Sequence, residues 1–196
     1  MTASMEPNMS NATAQNKQPV ESPAARTIEM KVEVIVLPVS DADRAKHFYS
    51  TMGWRLDLDF KSGEDYRVIQ ITPPGSACSV IFGKNVTAAK PGSAQGLYLI
   101  VSDLAAARDD LIRRGIEVSE PFHDTGGVFH HADDKCVVDG LNPQRQSYAS
   151  YASFSDPDGN GWLLQEVTAR LSPDLKLGDT RFTSQVLNAI FGAASV

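Results

Sequence analysis

The chain repeats itself once. Val39-Ser40-Asp41 returns as Val101-Ser102-Asp103, an offset of 62 residues, and Gly53 returns as Gly115 at the same offset. Each copy reads as an apolar strand, a Ser-Asp helix start, an amphipathic helix and a glycine stop. Such a chain is committed to two copies of one strand–helix–strand module, and a duplicated sheet offers two equivalent faces on which a site can be built.

Within the first copy, Val32 to Val39 is β-branched and apolar and predicts a buried strand. Ser40 or Asp41 caps a helix whose Ala45, Phe48, Tyr49 and Met52 share one face. Trp54 to Phe60 alternates strictly and predicts a half-buried strand, with further strands at 66–72 and 78–83. The second copy opens with a strand at Gly96–Val101. A helix capped by Asp103 follows, with Leu104, Ala107, Leu111 and Ile112 inward, and then a strand at Ile116–Val118. Residues 120–146 have little periodicity and predict a lid or binding loop. Strands are expected again at Tyr148–Ser155 and Trp162–Val167, on either side of the turn Asp156-Pro157-Asp158-Gly159-Asn160.

The ends read differently. Residues 1–27 are polar and aperiodic, the composition of a disordered tail. Residues 168–196 form an extension with a short amphipathic helix, on which Phe182, Val186, Leu187, Ile190 and Phe191 share a face. That helix is expected to dock on its own domain or on a second subunit. Asp and Glu outnumber Lys and Arg by 24 to 18, and no basic cluster suggests a nucleic-acid groove. No apolar run approaches the ~20 residues of a membrane span, and no secretory leader is evident. Cys78 and Cys136 are the only cysteines; they read as reduced thiols in a cytoplasmic protein.

Val39-Ser40-Asp41 with Arg44-Ala45 and Phe48-Tyr49, the repeat at Val101-Ser102-Asp103, and Phe154-Ser155-Asp156-Pro157-Asp158-Gly159-Asn160 form an ordered set over residues 31–167. In that set the chain resembles the vicinal oxygen chelate superfamily. This group includes glyoxalase I, extradiol dioxygenases and the bleomycin- and fosfomycin-resistance proteins. The resemblance implies an α+β fold: duplicated βαβββ modules forming an open curved mixed sheet around a cleft. The glyoxalase-like domain would span 28–167, with modules at 31–83 and 95–167. The resemblance also implies a homodimer.

In metal-dependent relatives, four strand positions supply His, Gln or Glu ligands. By the family pattern these fall here at Val34, at Ile81, at Gly96 and at Leu163. None offers an imidazole or carboxylate, so neither a metal nor another cofactor is expected. Strand parity adds Val36, Tyr98, Ile100, Tyr151, Ser153 and Gln165 to the cleft lining. The expected surface is apolar and aromatic with a few neutral hydrogen-bonding groups, suited to a small organic molecule. The loop set His123, His130, His131, Asp133, Asp134 and Cys136 has ligand-type side chains, but adjacent His130 and His131 converge poorly on one ion. It reads as a solvated polar loop.

The expected function is therefore a small-molecule-binding protein of the glyoxalase/bleomycin-resistance type lacking the usual metal ligands. The alternative is a metal-dependent lyase or dioxygenase of the same superfamily with a displaced site. A metal-free enzyme using Tyr98, Tyr151 or a loop histidine, and a purely dimeric interaction module, are weaker alternatives. No nucleic-acid or membrane partner is expected.

Overall fold

The computed structural model describes residues 28–125, 129–131 and 136–192; the expected disordered tail lies outside them. The chain divides into Met1–Lys31 and Val32–Val196. Of the first unit only residues 28–31 are described, and they are exposed, with no helix or strand.

The second unit begins with β1 (Val34–Val36), α1 (Ala42–Thr51), β2 (Arg55–Ser62), β3 (Tyr66–Thr72) and β4 (Ser79–Lys84). These strands form a four-stranded sheet in the order β1-β4-β3-β2, with β1 parallel to β4. The second copy gives β5 (Leu97–Val101), α2 (Leu104–Arg113), β6 (Phe122–Asp124), β7 (Val137–Asp139), β8 (Ser150–Ser155) and β9 (Gly161–Glu166). Their order, β5-β9-β8-β6-β7, repeats the first sheet and adds β7 at the outer edge. The α+β class and the duplicated modules are thus as expected, and the strands divide into two open mixed sheets.

Local chemistry explains the matching pieces. The Asp41 side chain accepts from the amides of Asp43 and Arg44 at 2.9 and 3.0 Å, and Asp103 accepts from Ala106 at 3.1 Å. Both carboxylates satisfy first-turn donors that the helix cannot. Gly53 and Gly115 end their helices at the same φ of 83°, in the left-handed region where a Cβ is strained.

One core unites the copies. Ala45 and Tyr49 of α1, Ile69, Val80 and Phe82 of the first sheet, Leu104 and Leu111 of α2, and Trp162 and Leu164 of β9 all belong to it. Tyr49 lies at its centre, stacked on Trp54 at 4.8 Å and edge-on to Trp162 at 6.2 Å. The helix-bearing faces of both sheets therefore share this core, and their other faces turn outward.

The turn at 156–160 fastens the two copies together. Asn160, fully buried, donates from Nδ2 to the Pro38 carbonyl at 2.9 Å and to Asp156 at 2.8 Å, and accepts from the Ala94 amide at 3.0 Å. The Tyr49 hydroxyl donates to Asp156 at 2.9 Å and accepts from Trp162 Nε1 at 3.1 Å. Burial, with the Asp156 charge adding to it, pushes the Tyr49 hydroxyl far above its ordinary range. At the surface of the same joint, Asp158 accepts from the Ser40 amide at 3.1 Å and from Arg44 at 2.8 Å.

Several expectations change. The first strand is Val34–Val36 alone, with Val34 and Val36 exposed rather than buried. All of β2 is exposed rather than half-buried, because it is a sheet edge with a bulge at Asp57 and an open outer face. Ile112 is 43% exposed and points away from the α2 stripe. Residues 116–118 form no strand; Pro121 interrupts the segment, and β6 takes the place in the second sheet that β2 holds in the first. The 120–146 region contributes the β6–β7 pairing, so it is part of the sheet.

The C-terminal helix α3 (Ser184–Gly192) docks on its own chain. Phe182, Val186 and Leu187 are buried against Tyr148, Ala169, Leu175 and Phe191. Ile190 is 37% exposed, outside that contact.

An ion-pair network braces α1 on the first sheet. Arg67 donates to Asp59 through Nε and Nη2, each at 2.8 Å, and Lys46 reaches Asp59 at 2.7 Å. Arg67, then Lys46, hold the Asp59 carboxyl well below its ordinary value of 3.8. A depressed carboxyl stabilises the fold above its unfolded value and loses that contribution as pH falls toward the folded one. Arg67→Met is therefore expected to destabilise by about 1 kcal/mol near neutrality. The difference in urea midpoint from wild type should begin to shrink as pH falls below 3.8.

Candidate functional site

Register places every expected lining residue on an outer face. Val34, Val36 and Ile81 alternate with the core residues Val80 and Phe82, in the pairings Val34↔Ser79 and Val36↔Ile81. Through Ile81↔Gln70 and Gln70↔Leu58, the same face continues across the sheet to Leu58 and Phe60. Its one polar cluster joins Gln70, Ser79, Thr72 and Asp57: Gln70 donates to Ser79 at 3.2 Å and Thr72 meets Ser79 at 2.7 Å.

On the second sheet, Tyr98 pairs Leu163 and Ile100 pairs Gln165, while Tyr151 and Ser153 face Gln165 and Leu163 across β8–β9. Gly96, Tyr98, Ser153 and Leu163 line one cavity of about 400 Å³, joined by His130 and Gln95. Tyr151 and Gln165 lie deeper on this face, at 1% and 2% exposure. Their polar ends are tied up: the Tyr151 hydroxyl donates to the Tyr148 carbonyl at 2.7 Å, and Gln165 Nε2 donates to that hydroxyl at 3.1 Å. No residue of the first sheet lines the cavity. The structure thus gathers Gly96, Tyr98, Ser153 and Leu163 at one cavity, sets Tyr151 and Gln165 deeper on the same face, and leaves Val34, Val36 and Ile81 on a separate outer face.

The four metal positions of the family pattern do not fit a metal. They present two branched hydrocarbons, a leucine and a bare α-carbon, none of which donates an electron pair. Among the described residues no three His, Cys, Asp or Glu side chains converge. Glu166, a neighbour of one slot, is fully buried on the core-facing side. Its Oε2 accepts from the Leu104 amide at 2.9 Å, capping α2, and Arg145 Nε donates to Oε1 at 2.9 Å. Glu33 is exposed.

The loop set is less solvated than expected. His123 is 7% exposed and its Nδ1 lies 2.8 Å from the Gly140 carbonyl. His130 Nδ1 sits 3.0 Å from Asp124 Oδ2, with side-chain exposures of 11% and 4%. The His130 ring packs 5.0 Å from Phe122 and 5.7 Å from Tyr151. Burial raises the pKa of the Tyr98 hydroxyl, and the Asp124 charge adds to it. His131 and Cys136 are exposed, and Asp133 and Asp134 lie outside the described residues. Periodicity misses Gln95 and His130, which line the cavity, and Phe122 and Asp124, which pack on and bond to His130. The only local hint is the alternation Phe122-His123-Asp124.

The sequence model described as Glyoxalase/Bleomycin resistance protein/Dioxygenase superfamily matches residues 31–164. The chain belongs to that superfamily. Among solved structures of the superfamily's fold, it is similar to TnmS3, an antibiotic binding protein from Streptomyces sp. CB03234. Identity is 29% over 72% of this chain and 98% of that one, with a TM-score of 0.52. It is also similar to a glyoxalase/bleomycin resistance protein/dioxygenase superfamily member from Sphaerobacter thermophilus DSM 20745. Here identity is 27%, coverage 70% and 98%, and the TM-score 0.52. No curated protein matches the chain significantly. As in the superfamily generally, fold leaves the reaction open, so function is argued from the site. Among the described residues no helix is long and apolar enough to cross a membrane.

Proposed function

We propose that this superfamily member binds a small organic molecule in the second-sheet cavity and performs no bond chemistry on it. One observation carries the reading: positions that hold metal ligands in relatives are here Val34, Ile81, Gly96 and Leu163, and two of these four line a cavity of about 400 Å³. That volume falls within the usual range for small-molecule pockets. Tyr98 and the His130 ring, both on the cavity wall, supply planar surface for an aromatic guest. The likeness to an antibiotic binding protein supports the same reading. The free thiols of Cys78 and Cys136 fit a cytoplasmic setting.

The cavity is completed by a second copy. Val34, Val36, Leu58 and Phe60 are 37%, 42%, 45% and 50% exposed on one outer face. A patch of this kind marks an interaction surface. In the homodimer we propose, that face closes over the cavity of the other copy. Light scattering is expected to report two chains per particle for wild type and one for the double variant Val36→Asp, Phe60→Asp. A thermal-shift screen of planar organic compounds should give ligands that stabilise wild type and not the double variant. A monomeric wild type would overturn the dimer. A blank screen would overturn the binding function.

A further inference from the structure

Behind the wall of the second-sheet cavity, in contact with its lining residue His130, sits one polar feature that the neutral walls do not explain. Asp124 projects on the same face of β6 as Phe122, and its side chain is 4% exposed. Oδ2 engages His130 Nδ1 at 3.0 Å. Oδ1 is buried and has no hydrogen-bond partner among the described residues. A buried acceptor left unmade is costly, and each such group in a native fold calls for a partner. Among the described residues no Lys or Arg lines the cavity.

We infer that Asp124 is the specificity-determining acceptor of this cavity and that it selects planar organic guests carrying a hydrogen-bond donor, cationic above all, against anionic ones. The inference rests on the small-molecule reading of the cavity. His130 lines the cavity and bonds Asp124 directly, and the Asp124 charge acts on Tyr98, on the cavity wall. A cation brought to that end of the cavity meets an opposite charge in a poorly solvated setting, where the interaction is strengthened. A carboxylate or sulfonate there loses hydration, meets a like charge and finds no cationic side chain. The rings of His130 and Tyr98 on the wall favour a flat guest, and Tyr98 adds a cation–π component.

Three three-ring probes separate charge from shape: cationic 9-aminoacridine, neutral 9-anthracenemethanol and anionic 9-anthracenecarboxylate. Their binding to the full chain can be followed by fluorescence titration at about neutral pH. Wild type is expected to bind the cation about tenfold or more tighter than the anion, as a charged hydrogen bond implies. Asp124→Asn should remove most of that preference while leaving the neutral probe within about twofold. In case that variant fails to fold, His130→Ala provides a second arm. It removes the partner of Asp124 Oδ2 and thins the wall in front of the carboxylate, and should retain the cationic preference. Equal binding of cation and anion, tighter binding of the anion, or an unchanged preference in folded Asp124→Asn would each overturn the inference and leave the binding function standing. Binding of none of the three probes, with a blank thermal-shift screen, would overturn both.

Discussion

Replacing Asn160 with alanine is expected to lower the stability of the folded chain by about 3 kcal/mol, since three side-chain hydrogen bonds in a buried setting are lost at about 1 kcal/mol each. The side chain is the meeting point of three segments distant in sequence: the Pro38 carbonyl, the Ala94 amide and the Asp156 carboxylate. Truncation leaves the half-buried Ala94 amide without its acceptor, takes one of two donors from the Pro38 carbonyl, which keeps the Gly92 amide at 3.1 Å, and takes a donor from an aspartate that also serves Tyr49. The neighbouring Arg44–Asp158 pair offers a control, because Arg44 is 48% exposed. Arg44→Ala is expected to cost less than about 1 kcal/mol, as exposed ion pairs do. Urea unfolding of the two variants tests the contrast. Equal and small losses would mean that the 156–160 turn is only a turn.

Substituting Ser153 with tryptophan is expected to have the second large effect, this time on binding. Ser153 lines the cavity, half-buried on the outer face of β8, with its backbone amide held by the Ser119 hydroxyl at 2.9 Å. An indole there projects into open space, so the fold should tolerate it. It would occupy a large part of the about 400 Å³ available. Affinity for 9-aminoacridine is expected to fall at least about thirtyfold, the result of losing most of the buried contact area, with the unfolding midpoint nearly unchanged. Undiminished binding would place the guest elsewhere.

Local chemistry was legible in the chain and distant contacts were not. Asp41 and Asp103 declared themselves as caps because the groups they satisfy lie two or three residues away. Strand parity sorted Leu99, Val101, Trp162 and Leu164 toward the core and Tyr98 and Leu163 away from it, because alternation is a property of one strand. Asn160 looked like a turn residue, for its partners at Pro38 and Ala94 are set by how the copies pack. Glu166 gave no sign of its place at the start of α2, 62 residues earlier in the chain. The division into two sheets with a shared core is likewise invisible to periodicity, since the pattern within each copy is the same whichever faces meet. Asp124 was hidden for a further reason: β6 is three residues long, too short for alternation to register, while His130 stood out only as one of several polar residues in an aperiodic stretch.

The central claim is that hydrocarbon and a bare α-carbon stand where relatives hold an ion. Elemental analysis of protein expressed in medium supplemented with zinc, nickel, manganese and iron, and purified without chelator, tests it directly. We expect each metal at well below one equivalent per chain after dialysis, in protein that still binds its organic ligand. Close to one equivalent of a single divalent metal, retained through dialysis and required for ligand binding, would contradict it.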